Sequence, residues 1–352
     1  MSDDYIYVNL LSIAPTGPSA PVQVVYQEYR SEPIVDDASK YKLSVIRWAA
    51  TGLNLPLFIP LVEQNNPNVL VYKVRLSAAG TTATESVVWS PQYNATAPTS
   101  TVGVDFNAPY YWANDYSWFL ERINAALLAC YNTIKTANPS LTAAAPYFVF
   151  ANNYFQLYAD TIAFGPGNTE NWTLSINPAL KLLLDHFPMA SVDTNGFSAF
   201  NVAPSGAAPK TGTSPNYWIQ QQQSPSTDTW SPIESITFTT NSAIQVEESS
   251  PPNLLGAGSN VSASRNFIPA LTDFSYALSG GSMDYMGVLS YAPSAQYRYS
   301  NLLQSADLKS LNFAVFWKCR YNASLYALSF NQGGGGSISV KILLERIPPG
   351  GI

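Results

Sequence analysis

The sequence predicts a mainly β protein, an antiparallel β-sandwich of the jelly-roll type with one long amphipathic helix and a short second helix. Three observations support this fold class. Short runs of β-branched and aromatic residues recur between turn residues. One segment changes to the helical period. Self-similarity with a period of 20 to 50 residues, which would indicate a solenoid or a propeller, is not found. About a dozen short strands with one long helix are typical of a β-sandwich.

The strands of the first half of the chain are predicted from alternation and from turn residues. In Val69–Leu76, alternate residues are apolar, so one face of this strand is expected to be buried. Leu55–Val62 contains two prolines and is expected to be an edge strand or an extended loop. The remaining predicted strands in this half are Tyr5–Leu11, Val22–Tyr26, Tyr41–Trp48, Ser86–Trp89, Tyr147–Phe150, Phe155–Tyr158 and Trp172–Ile176.

Two helices are predicted. Apolar residues recur every three or four positions across Asn114–Ala137, which is the pattern of an amphipathic helix. Asn114 or Asp115 is expected to cap its start, and the Asn138-Pro139 pair ends it. Pro178–Phe187 is a shorter candidate with proline in its first turn.

The last third of the chain returns to strand patterns, and composition suggests where to divide the sequence. We expect a β-rich N-terminal part at 1–187, a low-complexity loop or insertion at 188–232 rich in Ser, Pro, Gly, Ala and Gln, and C-terminal sandwich strands at 233–352. A single jelly-roll domain containing both β parts is left open. The C-terminal strands are predicted at Ser235–Thr240, Ala243–Glu247, Ala270–Ala277, Met286–Tyr291, Asn312–Tyr321, Tyr326–Phe330 and Ser337–Arg346.

The composition favours contacts with other protein over contacts with nucleic acid or lipid. Only 11% of the residues are charged, the net charge is −6, and the 17 basic residues are scattered. A surface with few charges loses little solvation when another protein covers it. Phosphate neutralisation requires clustered basic residues, so direct binding of nucleic acid is not expected. Since no apolar run approaches 18 residues, we expect no membrane span, and the opening residues do not suggest a signal peptide.

Residues that commonly perform chemistry are few. The single histidine, His186, follows an apolar helix and is expected to pack or cap there. Cys130 and Cys319 fit neither a metal spacing nor a disulfide framework, so both are expected to be buried, reduced thiols. We therefore predict no catalytic, cofactor-binding or metal-binding residues and no enzymatic activity.

Three short motifs are better explained by structure than by catalysis. Gly333–Gly336 lacks the Lys-Ser/Thr pair of a phosphate-binding loop and suits a hairpin turn. The adjacent acids Asp36-Asp37 and Glu247-Glu248 would point to opposite faces of a strand. Two alternatives stay open: a receptor- or carbohydrate-binding β-sandwich of the spike or lectin kind, and a glycoside-active enzyme that uses two distant carboxylates.

Eight short segments, which are predicted strands, turns and part of the long helix, resemble those of a known family. They are Ser235–Thr240, Ile244–Glu248, Leu271–Phe274, Tyr291–Arg298, Phe316–Tyr321, Ser337–Leu344, Phe119–Leu127 and Pro146–Phe150. Together they resemble the penton, or minor capsid, proteins of virophages and polinton-like viruses. The resemblance implies a jelly-roll subunit of the virion that forms a homopentamer at the vertices of an icosahedral shell. It also implies contact with a separate major capsid protein, synthesis in the host cytoplasm, and a possible host receptor or glycan partner.

Overall fold

The computed structural model describes most of the chain. The described residues are 5–13, 22–51, 55–63, 66–92, 109–202, 216–226, 230–240, 242, 244, 249–250, 268–275, 288–291, 298–321, 324–330 and 337–348. The Gly333–Gly336 turn, the Glu247-Glu248 pair and the Ala243–Glu247 strand apart from Ile244 lie outside them.

The described residues form 22 strands and two α-helices. The helices are α1 (Tyr116–Ala137) and α2 (Pro178–Leu183). The strands, in chain order, are β1 (Tyr5–Ile13), β2 (Val22–Gln23), β3 (Val25–Tyr29), β4 (Tyr41–Thr51), β5 (Val62–Glu63), β6 (Asn66–Ala78), β7 (Thr81–Val88), β8 (Tyr147–Ala151), β9 (Tyr154–Asp160), β10 (Thr173–Ile176), β11 (Met189–Val192), β12 (Ser198–Phe200), β13 (Tyr217–Gln221), β14 (Ile233–Thr240), β15 (Ser249–Ser250), β16 (Ile268–Ser275), β17 (Val288–Tyr291), β18 (Ser300–Asn301), β19 (Ser310–Cys319), β20 (Leu325–Ala327), β21 (Ser329–Phe330) and β22 (Ser337–Arg346).

The chain divides into two compact units. The first, here called the jelly-roll unit, consists of Met1–Pro56, Pro232–Ser279 and Met283–Ile352. The second, the inserted unit, consists of Leu57–Ser231 with Gly280–Ser282. In sequence, the inserted unit therefore interrupts the jelly-roll unit between β4 and β14.

The strands of the first unit are arranged in two antiparallel sheets with the order of a jelly roll. One sheet has the order β1-β22-β4-β17, with β18 also paired to β4. The other has the order β15-β16-β14-β19-β20, with β3 also paired to β19. Along the chain, β1, β4, β17 and β22 belong to the first sheet and β3, β14, β16 and β19 to the second. All these pairs are antiparallel, and the predicted jelly-roll fold is confirmed.

The core of the jelly-roll unit lies between its two sheets. Trp48 of β4 contacts Phe238 of β14 edge to face, with ring centroids 6.4 Å apart. The register of β4 against β22 shifts between Val45 and Arg47. In a regular strand, residues three positions apart lie on opposite faces. The β-bulge adds one residue to β4, so Val45 and Trp48 are both buried on the same face.

The predicted strands Asn312–Tyr321 and Ser337–Arg346 are confirmed, and they correspond to β19 and β22. Phe313, Val315 and Trp317 of β19 are buried. On β22 the buried apolar residues are Ile338, Val340, Ile342, Leu343 and Leu344. Since β22 pairs with β1 on one side and with β4 on the other, it is an interior strand of its sheet.

The inserted unit contains two further sheets and both helices. One sheet has the order β11-β12-β10-β6-β5, with β7 also paired to β6, and the other has the order β13-β9-β8. Helix α1 packs against β6, β7 and β8. It begins after Asp115, whose side chain accepts a hydrogen bond from the backbone N–H of Ser117. Asn152 and Asn153 adopt positive φ at the predicted β8–β9 hairpin turn.

The core of the inserted unit is built around Trp230. This fully buried indole donates a hydrogen bond to the carbonyl of Leu183 at 2.8 Å. Four aromatic rings have centroids within 5.3 Å of the Trp230 ring. They belong to Phe58, Tyr116, Phe119 and Phe155. Such ring pairs stabilise a core beyond the area that they bury.

The structure differs from two expectations that were based on composition. The polar stretch 188–232 contains β11, β12 and β13 and contributes Trp230 to a core, so it does not separate two β parts. The division expected at 187 and 232 also differs from the observed units, because strands from both chain ends share the same sheets. The second helix stops at Leu183, before the predicted Phe187, and His186 then adopts a left-handed φ of 69°.

We predict that the apolar stripe of α1 stabilises the inserted unit. Leu127 is fully buried, whereas the neighbouring Leu128 is 49% exposed. Leu127→Ala should lower the free energy of unfolding by about 2–5 kcal/mol because it leaves a cavity. Leu128→Ala is the matched control and should change it by no more than about 0.5 kcal/mol. Urea denaturation measures both values, and equal effects would contradict the helix orientation.

We also predict that β22 is indispensable to the jelly-roll unit. Deletion of 337–352 removes the interior strand between β1 and β4 and should abolish cooperative unfolding of this unit. Deletion of 348–352 leaves β22 intact and serves as the control. Thermal unfolding followed by circular dichroism distinguishes the two truncations. A cooperative transition of both units in the longer deletion would contradict the sheet assignment.

Candidate assembly surface

The single histidine of the sequence, His186, was one of the residues considered for catalysis. The His186 side chain is exposed, so of the two expected roles, packing and capping, it does not have the first. Its backbone N–H donates a hydrogen bond to the Asp185 carboxylate at 2.9 Å, and its φ of 69° lies in the left-handed region. Within the described residues, no cluster of three or more His, Cys, Asp or Glu side chains could hold a metal ion.

Both cysteines are buried and unbridged, as predicted. Burial raises the pKa of the Cys130 thiol to about 11, and its Sγ lies 3.7 Å from the carbonyl oxygen of Val74. A thiol with a pKa this far above neutral has little thiolate at physiological pH and is a poor nucleophile. Cys130 therefore acts as a small apolar core residue.

The adjacent acids Asp36 and Asp37 have unequal surroundings. Asp36 is exposed, whereas Asp37 caps the short 3-10 segment Ala38–Lys40. The Asp37 carboxylate accepts hydrogen bonds from the hydroxyl and the backbone N–H of Ser39 and lies 3.0 Å from Lys40. These contacts lower the pKa of Asp37. The hydrogen bond from the Ser39 hydroxyl has the largest effect, and the contact with Lys40 has the next largest. Asp37 is thus a local cap.

Two carboxylates of the inserted unit, those of the half-buried Glu170 and the buried Asp160, form an anchor that sequence reasoning did not predict. Glu170 accepts hydrogen bonds from the backbone N–H groups of Thr142 and Ala143, from the Thr142 hydroxyl and from the indole of Trp172. Asp160 accepts one from the backbone N–H of Ala144 at 2.7 Å. Burial favours a raised pKa at Glu170, but these hydrogen bonds outweigh it, so its pKa is lowered. The two carboxylates hold the segment that follows α1.

The feature of the jelly-roll unit best suited to a protein contact is β1. Residues Tyr5, Tyr7 and Leu11 are 60%, 55% and 61% exposed, whereas Val8 and Leu10 are buried. The exposed residues alternate along the strand and therefore share its outward face. Lys341 of β22 lies over the Tyr7 ring, 4.6 Å from its centroid. We call Tyr5, Tyr7 and Leu11 together with the free backbone edge of β1 the β1 margin.

The β1 margin is long and regular. All nine residues of β1 pair with β22 in an unbroken register, from Tyr5 opposite Glu345 to Ile13 opposite Ser337. Among the described residues, β22 is the only strand paired with β1, and none of them forms a ladder with the opposite edge. At about 3.3 Å per residue, this edge is about 30 Å long. Sequence reasoning missed this surface because both faces of YIYVNLLSI carry apolar residues, so alternation alone does not reveal which face is outward.

The basic residues are largely engaged with acids. In the part of the chain that the structure describes, at least eight Lys and Arg residues lie within 4.0 Å of a carboxylate. The pairs are Lys40–Asp37, Lys42–Glu345, Lys73–Glu63, Arg75–Asp193, Arg122–Glu121, Arg298–Asp273, Lys309–Asp307 and Lys318–Glu234. None of the described helices is long and apolar enough to cross a bilayer.

Jelly-roll units occur in viral capsid proteins, in lectins and in cupins, so the fold alone does not assign a role. A family model described as Sputnik minor capsid protein V18/19 matches residues 5–346. Uncharacterized protein V18 of Sputnik virophage is 32% identical over 155 residues, which are 41% of this chain and 91% of that protein. The chain therefore belongs to the Sputnik minor capsid protein V18/19 family.

Two solved structures have similar folds over nearly the whole chain. A chain in the 3.5 Å cryo-electron-microscopy structure of the Sputnik virophage matches with a TM-score of 0.77 at 22% identity, and all of both chains is covered. The mavirus penton protein, solved as a selenomethionine crystal structure, matches with a TM-score of 0.62 at 18% identity. This match covers 97% of this chain and 99% of that chain. These two matches show the fold. Membership of the minor capsid protein family makes the protein a structural component of a viral capsid, and the lectin-like and glycosidase alternatives are not favoured.

We predict that the Glu170 anchor makes stability depend on pH in acid. Because its pKa is lowered in the folded state, its contribution is complete above the pKa of the unfolded chain, about 4.3, and is lost as pH falls through the folded-state value. At pH 7, Glu170→Gln should lower the free energy of unfolding by about 1–2 kcal/mol. Its stability should then fall less steeply below about pH 4.3 than that of the wild type.

The control for this pH prediction is Glu121→Gln, which removes an exposed carboxylate on α1 that contacts Arg122 only at the surface. This variant should retain the wild-type stability at pH 7 and the wild-type slope in acid. Urea denaturation at several pH values measures both properties. An unchanged acid slope in Glu170→Gln would contradict the anchor assignment.

Proposed function

We propose that this protein forms the vertices of an icosahedral viral shell as a homopentamer in contact with a separate major capsid protein. The observation that carries the proposal is the extent of the likeness to the mavirus penton protein, which includes both the jelly-roll unit and the inserted unit. A likeness confined to the jelly roll would be compatible with many unrelated functions. Membership of a minor capsid family supports the same role.

The surface chemistry supports assembly through protein contacts. Only 11% of the residues are charged, so copies that approach one another lose few hydrated charges. Tyrosine is abundant, with 22 residues, and Tyr5 and Tyr7 are exposed on one strand face. Exposed aromatic residues with few charges around them are typical of the centre of protein interfaces.

We further propose that the subunit does not bind the genome directly. Ion pairs engage at least eight of its basic residues, and the net charge is −6. A surface of this kind provides little of the counterion release that drives binding to nucleic acid. A vertex subunit in contact with a coat protein can perform its function without neutralising phosphates.

We also propose that the protein acts without catalysis and is made in the host cytoplasm. Among the described residues, the most thoroughly hydrogen-bonded carboxylates, those of Glu170 and Asp193, are engaged by N–H and O–H donors of their own chain. Proton transfer to a substrate would require these contacts to break. The two buried, unbridged cysteines are consistent with synthesis in a reducing compartment.

The pentamer is tested on the purified full chain by native mass spectrometry and negative-stain electron microscopy. We expect a species of five times the 38.3 kDa subunit mass and ring-shaped particles. A chain that is monomeric or dimeric at all accessible concentrations would contradict the homopentamer. Co-expression with the major capsid protein of the same virus should give closed shells that contain both proteins.

Genome binding is tested by electrophoretic mobility shift with DNA and RNA at physiological salt. We expect no retardation at micromolar protein, because the charge needed for counterion release is missing. Retardation that weakens steeply as salt increases would favour a genome-binding coat protein. A basic single-stranded-DNA-binding protein serves as the positive control.

A further inference from the structure

We propose that, when copies associate, the free edge of β1 receives an extended segment of a second copy of this chain. This inference rests on the proposed homopentamer and identifies the surface that holds it together. Three properties of the β1 margin support it: its unpaired backbone groups, its lack of protective features and its outward-facing side chains.

The unpaired backbone groups determine the chemistry of the partner. In an antiparallel pair, alternate residues direct both N–H and C=O toward the partner strand, so about four of the nine residues of β1 direct theirs away from β22. Among the described residues, no other strand is hydrogen bonded to these groups, although β3 packs near β1. An extended polypeptide satisfies a row of alternating donors and acceptors at this spacing. Glycans and nucleic acids do not present such a row.

The margin also lacks the features by which soluble proteins protect an edge strand. Such edges commonly carry charged residues, proline or a β-bulge. The sequence of β1, YIYVNLLSI, contains no charged residue and no proline. Its ladder with β22 has no register shift. An exposed edge of this length without protection would promote aggregation unless assembly covers it.

The side chains of the margin would add apolar contact beside the backbone ladder. Tyr5, Tyr7 and Leu11 alternate along one face, and each is more than half exposed. The cation of Lys341 rests on Tyr7 and leaves the other two residues free for contact. Tyrosine at such a position combines a large contact area with a hydroxyl that can form hydrogen bonds.

A second copy suits this surface better than another protein because every copy carries the same edge. In a ring with rotational symmetry, the edge of each subunit meets a different part of its neighbour, so all edges are covered at once. Direct pairing of two β1 edges would instead close after two copies. The low charge of the whole chain, 11%, leaves little repulsion between identical subunits.

The test compares Leu11→Lys with Leu182→Lys in the full chain. The first places a charge in the β1 margin, and the second makes the same change at a residue of α2 that is 74% exposed. We expect Leu11→Lys to raise the dissociation constant between subunits by about tenfold or more while the melting temperature of the monomer stays unchanged. Leu182→Lys should assemble like the wild type. Analytical ultracentrifugation and native mass spectrometry measure the assembly.

Hydrogen exchange provides an independent readout. In the wild-type assembly, the outward amides of Tyr5–Ile13 should be protected, and in dissociated subunits they should exchange quickly. If Leu11→Lys does not fold, Leu11→Ser with this exchange measurement decides the question. An assembled pentamer whose outward β1 amides exchange freely would overturn the inference, as would unchanged assembly of folded Leu11→Lys. Either result leaves the pentamer itself standing, whereas a monomeric wild type contradicts the proposed function.

Discussion

The jelly-roll unit depends on the position of its last strand. β22 lies between β1 and β4, and its ladders to the two neighbours contain nine residue pairs each. It therefore joins the first strand of the chain to a strand that precedes the inserted unit. Neither ladder can form until the C-terminal end of the unit is available. The sheet therefore depends on contacts between residues 288 or more positions apart, since Ile338 pairs with Ala50. The same arrangement leaves β1 at the margin with one edge unpaired.

The long separation in sequence is tolerated because the inserted unit has its own core. β4 ends at Thr51 and β14 begins at Ile233, so a flexible connection of this length would add closure entropy without any gain. The inserted unit instead buries Trp230 among aromatic rings, and the indole N–H of Trp230 donates a hydrogen bond to the Leu183 carbonyl oxygen. When the inserted unit is folded, it no longer acts as a long flexible loop between β4 and β14. The loss of chain entropy on formation of the jelly-roll sheets is therefore smaller.

The sequence predicted those elements that have one polar, exposed face and one apolar, buried face. It did not predict elements in which polar residues are buried or apolar residues are exposed. β19, β22 and α1 were predicted because their apolar residues repeat at the period of the element. The stretch 188–232 was expected to be a loop because its composition is polar. Its buried Gln222 and Ser226 are nevertheless hydrogen bonded to each other and to the backbone of 183–185, which removes most of the penalty of burial. The β1 margin was missed for the opposite reason, since its sequence is apolar on both faces.

In the proposed homopentamer, the scarcity of charge would limit how subunits can recognise one another. Charged interfaces select partners through attraction and through repulsion of wrong ones, and they act over about a Debye length. In this chain 11% of the residues are charged, and many of them form ion pairs within the chain. Charge therefore contributes little attraction to a partner and little repulsion of a wrong one. Specificity must then come from short-range geometry, in which a strand pairs only in a register that places its apolar residues correctly. A nine-residue edge with an unbroken register is suited to that purpose, because a slip of one residue would turn every docked side chain to the opposite face.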